Sequence, residues 1–320
     1  MTERWGLTIP LIGVPLTEHA DLVRALPDFG YTDVWSAETN GTDAFTPLAL
    51  ASVWEPTMRL GTAIVPVYTR GPALIAMSAA ALEQAAPGRF VLGLGASSPV
   101  IVGNWNGLEF DAPYQRSRDV LRAVRTALAG DRVDGEFDSF TIKRFKLEQA
   151  PTPPPKIVLA ALRPQMLRLA GREADGAILN WLAATDVAQC VAAIENPASE
   201  VVARIFVCPT ADAEFARNVG RLVMSTYLTV PAYAAFHDWL GRGPALAAMH
   251  AAWAAGDRAG AAAAIPDDVV DALVVHGSPQ QCREHVQAYA DAGVQTPVLA
   301  LLPRPEGPPD LDLLRALGRG

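Results

Sequence analysis

The sequence predicts an α/β protein of the (β/α)8 barrel type, and three observations lead there. Short β-type runs alternate with helical patterns almost from end to end, as parallel strands require when each crossover is a helix. The runs are nearly continuous in apolar residues, which suits strands covered on both faces. They number eight, the count that closes a barrel. An open doubly wound sheet is the alternative that the same alternation allows.

The elements follow in order. Trp5 to Pro10 reads as the first strand, and Thr17 as the N-cap of the next helix. A short second strand surrounds Val34, and a helix runs from Asp43 to Trp54. Arg59 to Val67 is the third strand, followed by an alanine-rich helix with Pro72 at its first position that stops near Pro87. Arg89 to Gly95 is the fourth. After a long connection, Tyr114 to Leu128 is helical, and residues 133–148 alternate polar and apolar like a hairpin. Pro151 to Pro155 stiffen the chain before the fifth strand, Lys156 to Ala161.

A helix from Pro164 to Glu173, a sixth strand from Ala174 to Asn180 and a helix near Asp186 to Asn196 come next. Val201 to Pro209 is the seventh strand. From Ala211 to Asp271 the pattern is helical throughout, an insertion within a single barrel domain spanning 1–320. Ser278 caps the following helix and Gly293 ends it. Thr296 to Leu302 is the eighth strand.

Composition narrows the functional classes. With half its residues hydrophobic and 19% charged, the 320-residue chain is globular rather than disordered. A net charge of −8 argues against nucleic acid as a partner and for a small-molecule ligand. Pro10, Gly13 and Pro15 interrupt the one apolar stretch near the start, which has no basic n-region, so no signal peptide is expected. No uninterrupted apolar run reaches membrane-spanning length. Cys190, Cys208 and Cys282 are far apart and odd in number, which suits a reducing, cytoplasmic setting. Lys143, Lys146 and Lys156 all cluster around the hairpin and the proline-rich segment, so Schiff-base chemistry at a strand end is not expected. The five histidines make no HxxxH pair and no zinc spacing with cysteine, and no G-x-S-x-G elbow occurs.

In a barrel the chemistry lies just past the C-terminal ends of the strands. After the second strand stand Ser36, Glu38, Thr39, Asn40 and Asp43. A carboxylate there can bind a cofactor or act as a general acid; for Asp43 a helix cap is the plainer reading. After the third come Ala63 and Ile64, apolar where the chain opens to solvent, then Pro66 and Tyr68. This can present a bulge to a flat ring or be plain strand core. The Gly93-to-Pro99 stretch fails as a dinucleotide fingerprint because Ser98 replaces the third glycine, but it offers Ser97 and Ser98 at a strand end. Ala161, Leu162, Arg163 and Pro164 lead into a helix N-terminus, which suits an anion.

Three stretches, GTAIVPVYTRGP, GRFVLGLGASSPVIVGNWNG and IVLAALRPQMLRLAGREADGAILN, together with GSPQQCREHVQAYADAGVQTPVLAL, resemble the luciferase-like monooxygenase superfamily, particularly its branch dependent on coenzyme F420. The likeness runs from about residue 5 to 302. It implies a TIM barrel of the bacterial luciferase-like type with a deazaflavin across the strand ends. A non-prolyl cis peptide at Ala63–Ile64 would bulge against the ring. Ser97 and Ser98 would lie near the cofactor, and Ala161 to Pro164 would hold its phosphate. Arg70, Arg163 and Arg168 are the candidates for its acidic tail. The implied reaction is hydride transfer to or from an organic substrate, with Glu38 or Tyr68 as candidate catalytic groups moving a proton. The insertion, carrying Tyr227, Tyr233, Trp239 and Trp253, would cover the substrate. A homodimer is implied by resemblance only.

Departures from the family pattern matter too. The F420-dependent sugar-phosphate dehydrogenases carry His and Trp after the second strand and use lysines for the substrate phosphate; SAETNGTDAF has neither, and lysines are scarce. Methylene-tetrahydromethanopterin reductase shares the YTR-x-P stretch, as many other members do. The alternatives to an F420-dependent enzyme are an FMN-dependent monooxygenase on the same scaffold and a non-catalytic flavin or deazaflavin carrier.

Overall fold

The computed structural model describes residues 4–320. Met1 to Glu3, on which the reading of the N-terminus partly rests, lie outside the described residues. The strands are β1 (Gly6–Thr8), β2 (Asp33–Ser36), β3 (Arg59–Thr62), β4 (Val65–Pro66), β5 (Phe90–Gly95), β6 (Val133–Glu136), β7 (Thr141–Phe145), β8 (Lys156–Ala160), β9 (Gly176–Asn180), β10 (Glu200–Cys208), β11 (Val274–His276) and β12 (Thr296–Leu301). The helices of the first half are α1 (His19–Ala25), α2 (Phe45–Trp54), α3 (Pro72–Ala85), α4 (Pro113–Leu128), α5 (Pro164–Glu173) and α6 (Val187–Ile194). Those of the second are α7 (Ala213–Tyr227), α8 (Pro231–Trp239), α9 (Gly243–Ala254), α10 (Arg258–Ala263), α11 (Asp267–Leu273), α12 (Pro279–Asp291) and α13 (Leu311–Leu317).

Eight parallel strands close a ring in the order β1, β2, β3, β5, β8, β9, β10, β12 and back to β1. The closing pairs are Gly6 with Val298 and Leu7 with Leu299. This is the predicted (β/α)8 barrel. β4 continues the path of β3 and pairs with β5, β11 pairs with Phe206 to Cys208 on the edge of β10 that β9 occupies lower down, and β6 and β7 form a separate antiparallel hairpin.

Alternate residues point inward, and Trp35, Val91, Val158, Ile178, Val202 and Val298 fill the middle of the lumen. The Trp35 ring fits because Gly61 faces it: a Cβ there would meet the ring at 2.3 Å. Below this layer, at the N-terminal ends of the strands, Arg59 donates two hydrogen bonds of 2.7 Å to Glu200 and lies 3.2 Å from Asp33. The Thr296 hydroxyl adds a bond to Glu200 at 2.7 Å. Burial works to raise the Glu200 carboxyl, but the Arg59 guanidinium holds it below its ordinary value. The floor is a closed ion cluster.

Several expectations are corrected in detail. Thr17 does not cap a helix. A 3-10 turn (Leu16–Glu18) precedes α1, whose first turn has no side-chain cap. The loop is ordered by buried His19, which accepts from the Leu11 amide at 2.7 Å and lies 3.0 Å from the Pro15 carbonyl. The third strand is not continuous over 59–67 but breaks at Ala63–Ile64, where the peptide bond is cis. A π-helical turn (Val100–Trp105) occupies part of the long connection before α4, and β11 was not anticipated. Pro72 does open α3, and Ser278 caps α12 in a box with Gln281.

Candidate active site

The C-terminal ends of the strands form the barrel mouth. On the arc of β3, β4, β5 and β8, the cis Ala63–Ile64 segment is pinned to β2: Ala63 donates to the Ser36 carbonyl at 2.6 Å, and Glu38 donates through its amide to the Ile64 carbonyl at 3.2 Å. Ile64 lies against the end of β5. A Cβ on Gly95 would come within 2.9 Å of both Ile64 Cγ1 and Ala160 Cβ, so glycine is what lets these two side chains meet. Beyond it, Ser97 adopts a left-handed φ of 66°, and the Ser98 hydroxyl accepts from the Ile101 amide at 3.3 Å.

Next along the ring, the amide of buried Ala161 is bound to the Ile178 carbonyl at 3.1 Å. Leu162 is half-buried and Arg163 is exposed. Arg163 is extended (φ −124°, ψ 161°) at the start of α5, with Pro164 at the first position and no side-chain cap. The first turn of α5 therefore has amides without a side-chain cap beside a cation with no carboxylate partner among the described residues, an arrangement suited to an anion. The other two arginines foreseen for an acidic tail are engaged. Arg70 pairs with Glu38 at 2.8 Å and lies 3.6 Å from Asp43, while Arg168 lies 3.7 Å from Glu195.

Glu38 also accepts from the Ala44 amide at 3.1 Å. Asp43 takes the cap role, accepting from the amides of Phe45 at 2.9 Å and Thr46 at 3.0 Å. Burial works to raise its carboxyl, but these bonds hold it below its ordinary value. The Tyr68 hydroxyl donates to the Asp111 carbonyl, and burial pushes it up to about 12.

The opposite arc, β9 and β10 with the helices that follow, was largely missed from the sequence. Trp181, at a φ of 53°, stacks on Phe206 with centroids 3.8 Å apart. Tyr227 packs against Trp181 at 5.4 Å and meets Tyr233 edge-on at 5.8 Å. The Asn180 amide donates to the Tyr233 hydroxyl at 2.7 Å, and Arg204 places its guanidinium 5.0 Å from the Phe206 ring centroid. Thr8 Oγ1, Asn180 Oδ1 and Arg204 Nε are buried without hydrogen-bond partners among the described residues. Of the four aromatic residues expected to cover the mouth, Tyr227 and Tyr233 do meet this cluster. Trp239 instead stacks on Phe236, and Trp253 lies under Arg258. The available signal was Arg204 itself, an arginine within an otherwise apolar strand.

A closed barrel with its polar and aromatic groups gathered at one mouth is the plan of a barrel enzyme. The luciferase-like monooxygenase family model matches residues 5–296, and the chain belongs to that family; it is an oxidoreductase. The 5,10-methylenetetrahydromethanopterin reductase of Methanolobus tindarius is 26% identical over 95% of each chain. A protein of Mycobacterium tuberculosis provisionally named a coenzyme F420-dependent oxidoreductase is 40% identical over 115 residues, 36% of this chain and only 33% of that relative. Among solved structures, the coenzyme F420-dependent tetrahydromethanopterin reductase of Methanopyrus kandleri superposes with a TM-score of 0.80 over 100% of this chain and 98% of the other, at 21% identity. Among the described residues no helix is long and apolar enough to cross a membrane, and no three His, Cys, Asp or Glu side chains converge to hold a metal.

Proposed function

We propose that the protein transfers a hydride between coenzyme F420 and a small organic substrate. The observation that carries this reading is the uncapped start of α5 beside Arg163, on the same arc as the apolar patch of Ile64, Gly95 and Ala160. One suits a phosphate and the other the face of a flat ring, so the donor set fits the cofactor. Bound F420 supplies a two-electron hydride carrier. In this reading Ala161, Leu162, Arg163 and Pro164 hold its phosphate. Ala63 and Ile64 support the ring, and Ser97 and Ser98 border it.

Glu38 is the proposed proton-handling residue. Its Oε2, 3.3 Å from Arg70 Nε where Oε1 is at 2.9 Å, is the less engaged oxygen. Tyr68, the second candidate, would first have to release the Asp111 carbonyl. The aromatic wall from β9, β10, α7 and α8 excludes water from the substrate. We further propose that two copies meet through α2 and α3, where Leu50, Val53, Leu74 and Met77 are exposed on neighbouring helices.

The experiment is a titration of the purified protein with F420 and separately with FMN, followed by cofactor fluorescence. Saturable F420 binding with weak FMN binding is expected. Preference for FMN, with substrate-coupled oxygen uptake, would replace this reading by an FMN-dependent monooxygenase. Tight F420 binding without substrate-dependent oxidation of the reduced cofactor across a substrate screen would leave a carrier.

A further inference from the structure

We propose that Arg204 anchors a carboxylate-binding subsite, and that the substrate of this pocket is a small organic acid with an apolar body. The proposal rests on the hydride-transfer reading and names the class of substrate within it.

The register of the barrel places Arg204. It pairs with Asn180 on β9 and with Val298 on β12. Val202, two residues earlier, and Val298 belong to the cluster inside the lumen, so Arg204 faces the lumen one layer nearer the mouth. Its Nε is buried and unbonded. Among the described residues no carboxylate pairs with it, and its guanidinium lies 5.0 Å from the Phe206 ring centroid. The residue as a whole is half-buried, and a guanidinium with one N–H shut away from water and unbonded gains from an anion that accepts from it. The floor shows the contrast: Arg59, also inward-facing, is satisfied by Glu200 and Asp33.

Neutral donors stand beside it. With Asn180 Nδ2 donating to Tyr233, the Tyr233 hydroxyl hydrogen is free to donate in turn. If the amide is turned over, Asn180 keeps a free N–H instead. Either way the pair offers a donor next to Arg204. Thr8, two strands along the ring on β1, presents a further hydroxyl with no partner among the described residues. A planar guanidinium with flanking donors matches a carboxylate. One cation suits a monoanion better than a phosphate dianion, and the lysines are elsewhere: Lys143 is on the hairpin, Lys146 just beyond it, and Lys156 at the opposite end of the barrel.

The position separates this subsite from the cofactor arc. β10 lies across the eight-strand ring from β3, so Arg204 and the Ala63–Ile64 segment oppose one another over the mouth. Trp181, Phe206, Tyr227 and Tyr233 form an aromatic wall beside it, which suits the apolar body of the acid.

The test measures, by calorimetry on the full chain with and without F420, the binding of three matched pairs: acetate and acetamide, benzoate and benzamide, phenylacetate and phenylacetamide. Each pair has nearly one shape, so the ratio of affinities isolates the charge. At least one carboxylate is expected to bind roughly tenfold or more tightly than its amide. Arg204→Met should abolish that preference, Arg204→Lys should keep part of it, and Tyr233→Phe should lower it severalfold with F420 binding unchanged. The proposal is overturned if no pair shows the preference, or if it survives in Arg204→Met. It is also overturned if Arg204→Met weakens F420 binding and leaves the carboxylates alone. Should Arg204→Met not fold, unchanged ratios in both Arg204→Lys and Tyr233→Phe overturn it. Loss of the F420 reading with the carboxylate preference intact would remove the cofactor and keep the subsite; the reverse result would remove only the subsite.

Discussion

Arg59 and Glu200 face each other across the barrel floor through two hydrogen bonds of 2.7 Å each. Removing the cation leaves Glu200 and Asp33 buried without it, and breaking such a pair from one side costs about 3–5 kcal/mol. Arg59→Met should therefore lose stability on that order in a denaturant titration, and adding Glu200→Leu should recover part of it. The pH dependence has a definite sign. The folded Glu200 carboxyl lies below its ordinary value, so its contribution is present above about pH 4.3 and is lost as pH falls through the folded value. The acid limb of the stability curve should be shallower in Glu200→Gln.

A second pH effect comes from His237 on α8. It is fully buried, and burial, with Arg242 nearby, lowers it to about 3 against the opposing pull of the Trp181 backbone. The unfolded chain binds a proton there below about pH 6.5 and the folded chain does not. Stability should fall as pH drops from about 6.5 toward 3, by a total on the order of 3–5 kcal/mol. Burial lowers His285 too, so the measurement is the difference between the native chain and His237→Phe at pH 7 and pH 5. Equal slopes for the two chains would refute the assignment.

Arg163 has no carboxylate partner among the described residues, whereas Arg70 has two and Arg168 one. Reversing its charge with Arg163→Glu should weaken F420 binding roughly tenfold or more, with the loss shrinking at high salt. Arg168→Glu should change binding less. Equal losses from both would point to a diffuse field rather than a site at the start of α5.

The proposed contact between copies predicts that Val53→Glu combined with Leu74→Glu lowers the mass seen by light scattering to that of one chain. These side chains are 79% and 46% exposed, so thermal stability of the chain itself should barely change. A native chain already monomeric at working concentration would remove the proposal.

The ring of strands was legible because apolar runs and their punctuation are local. Pro72, Pro164 and Ser278 each mark a helix start where the structure has one. Thr17 misled because a cap residue says nothing of the His19 contacts that build a different turn. On the cofactor arc the candidate residues adjoin one another in sequence, so glycines, serines and prolines could flag them. The arc of Thr8, Asn180 and Arg204 is assembled from three separate strands. Its signal is a matter of which way each side chain points, and that emerges only when the register is known. Glu38 was visible as an acid at a strand end, but its engagement by Arg70, thirty-two residues on, was not.

The strands β10 and β12 pair directly over six positions, from Val202 with Thr296 to Val207 with Leu301. Helices α7 to α11 leave the ring after β10 and return before β12 without interrupting that ladder. The barrel and the helical segment proposed to cover its mouth are thus separately encoded. A graft exchanging residues 211–273 with the corresponding segment of a relative would alter which molecule is admitted, while the rim that carries the proposed cofactor positions stays in place. The same layout offers selection a means of diversifying substrates without rebuilding the barrel.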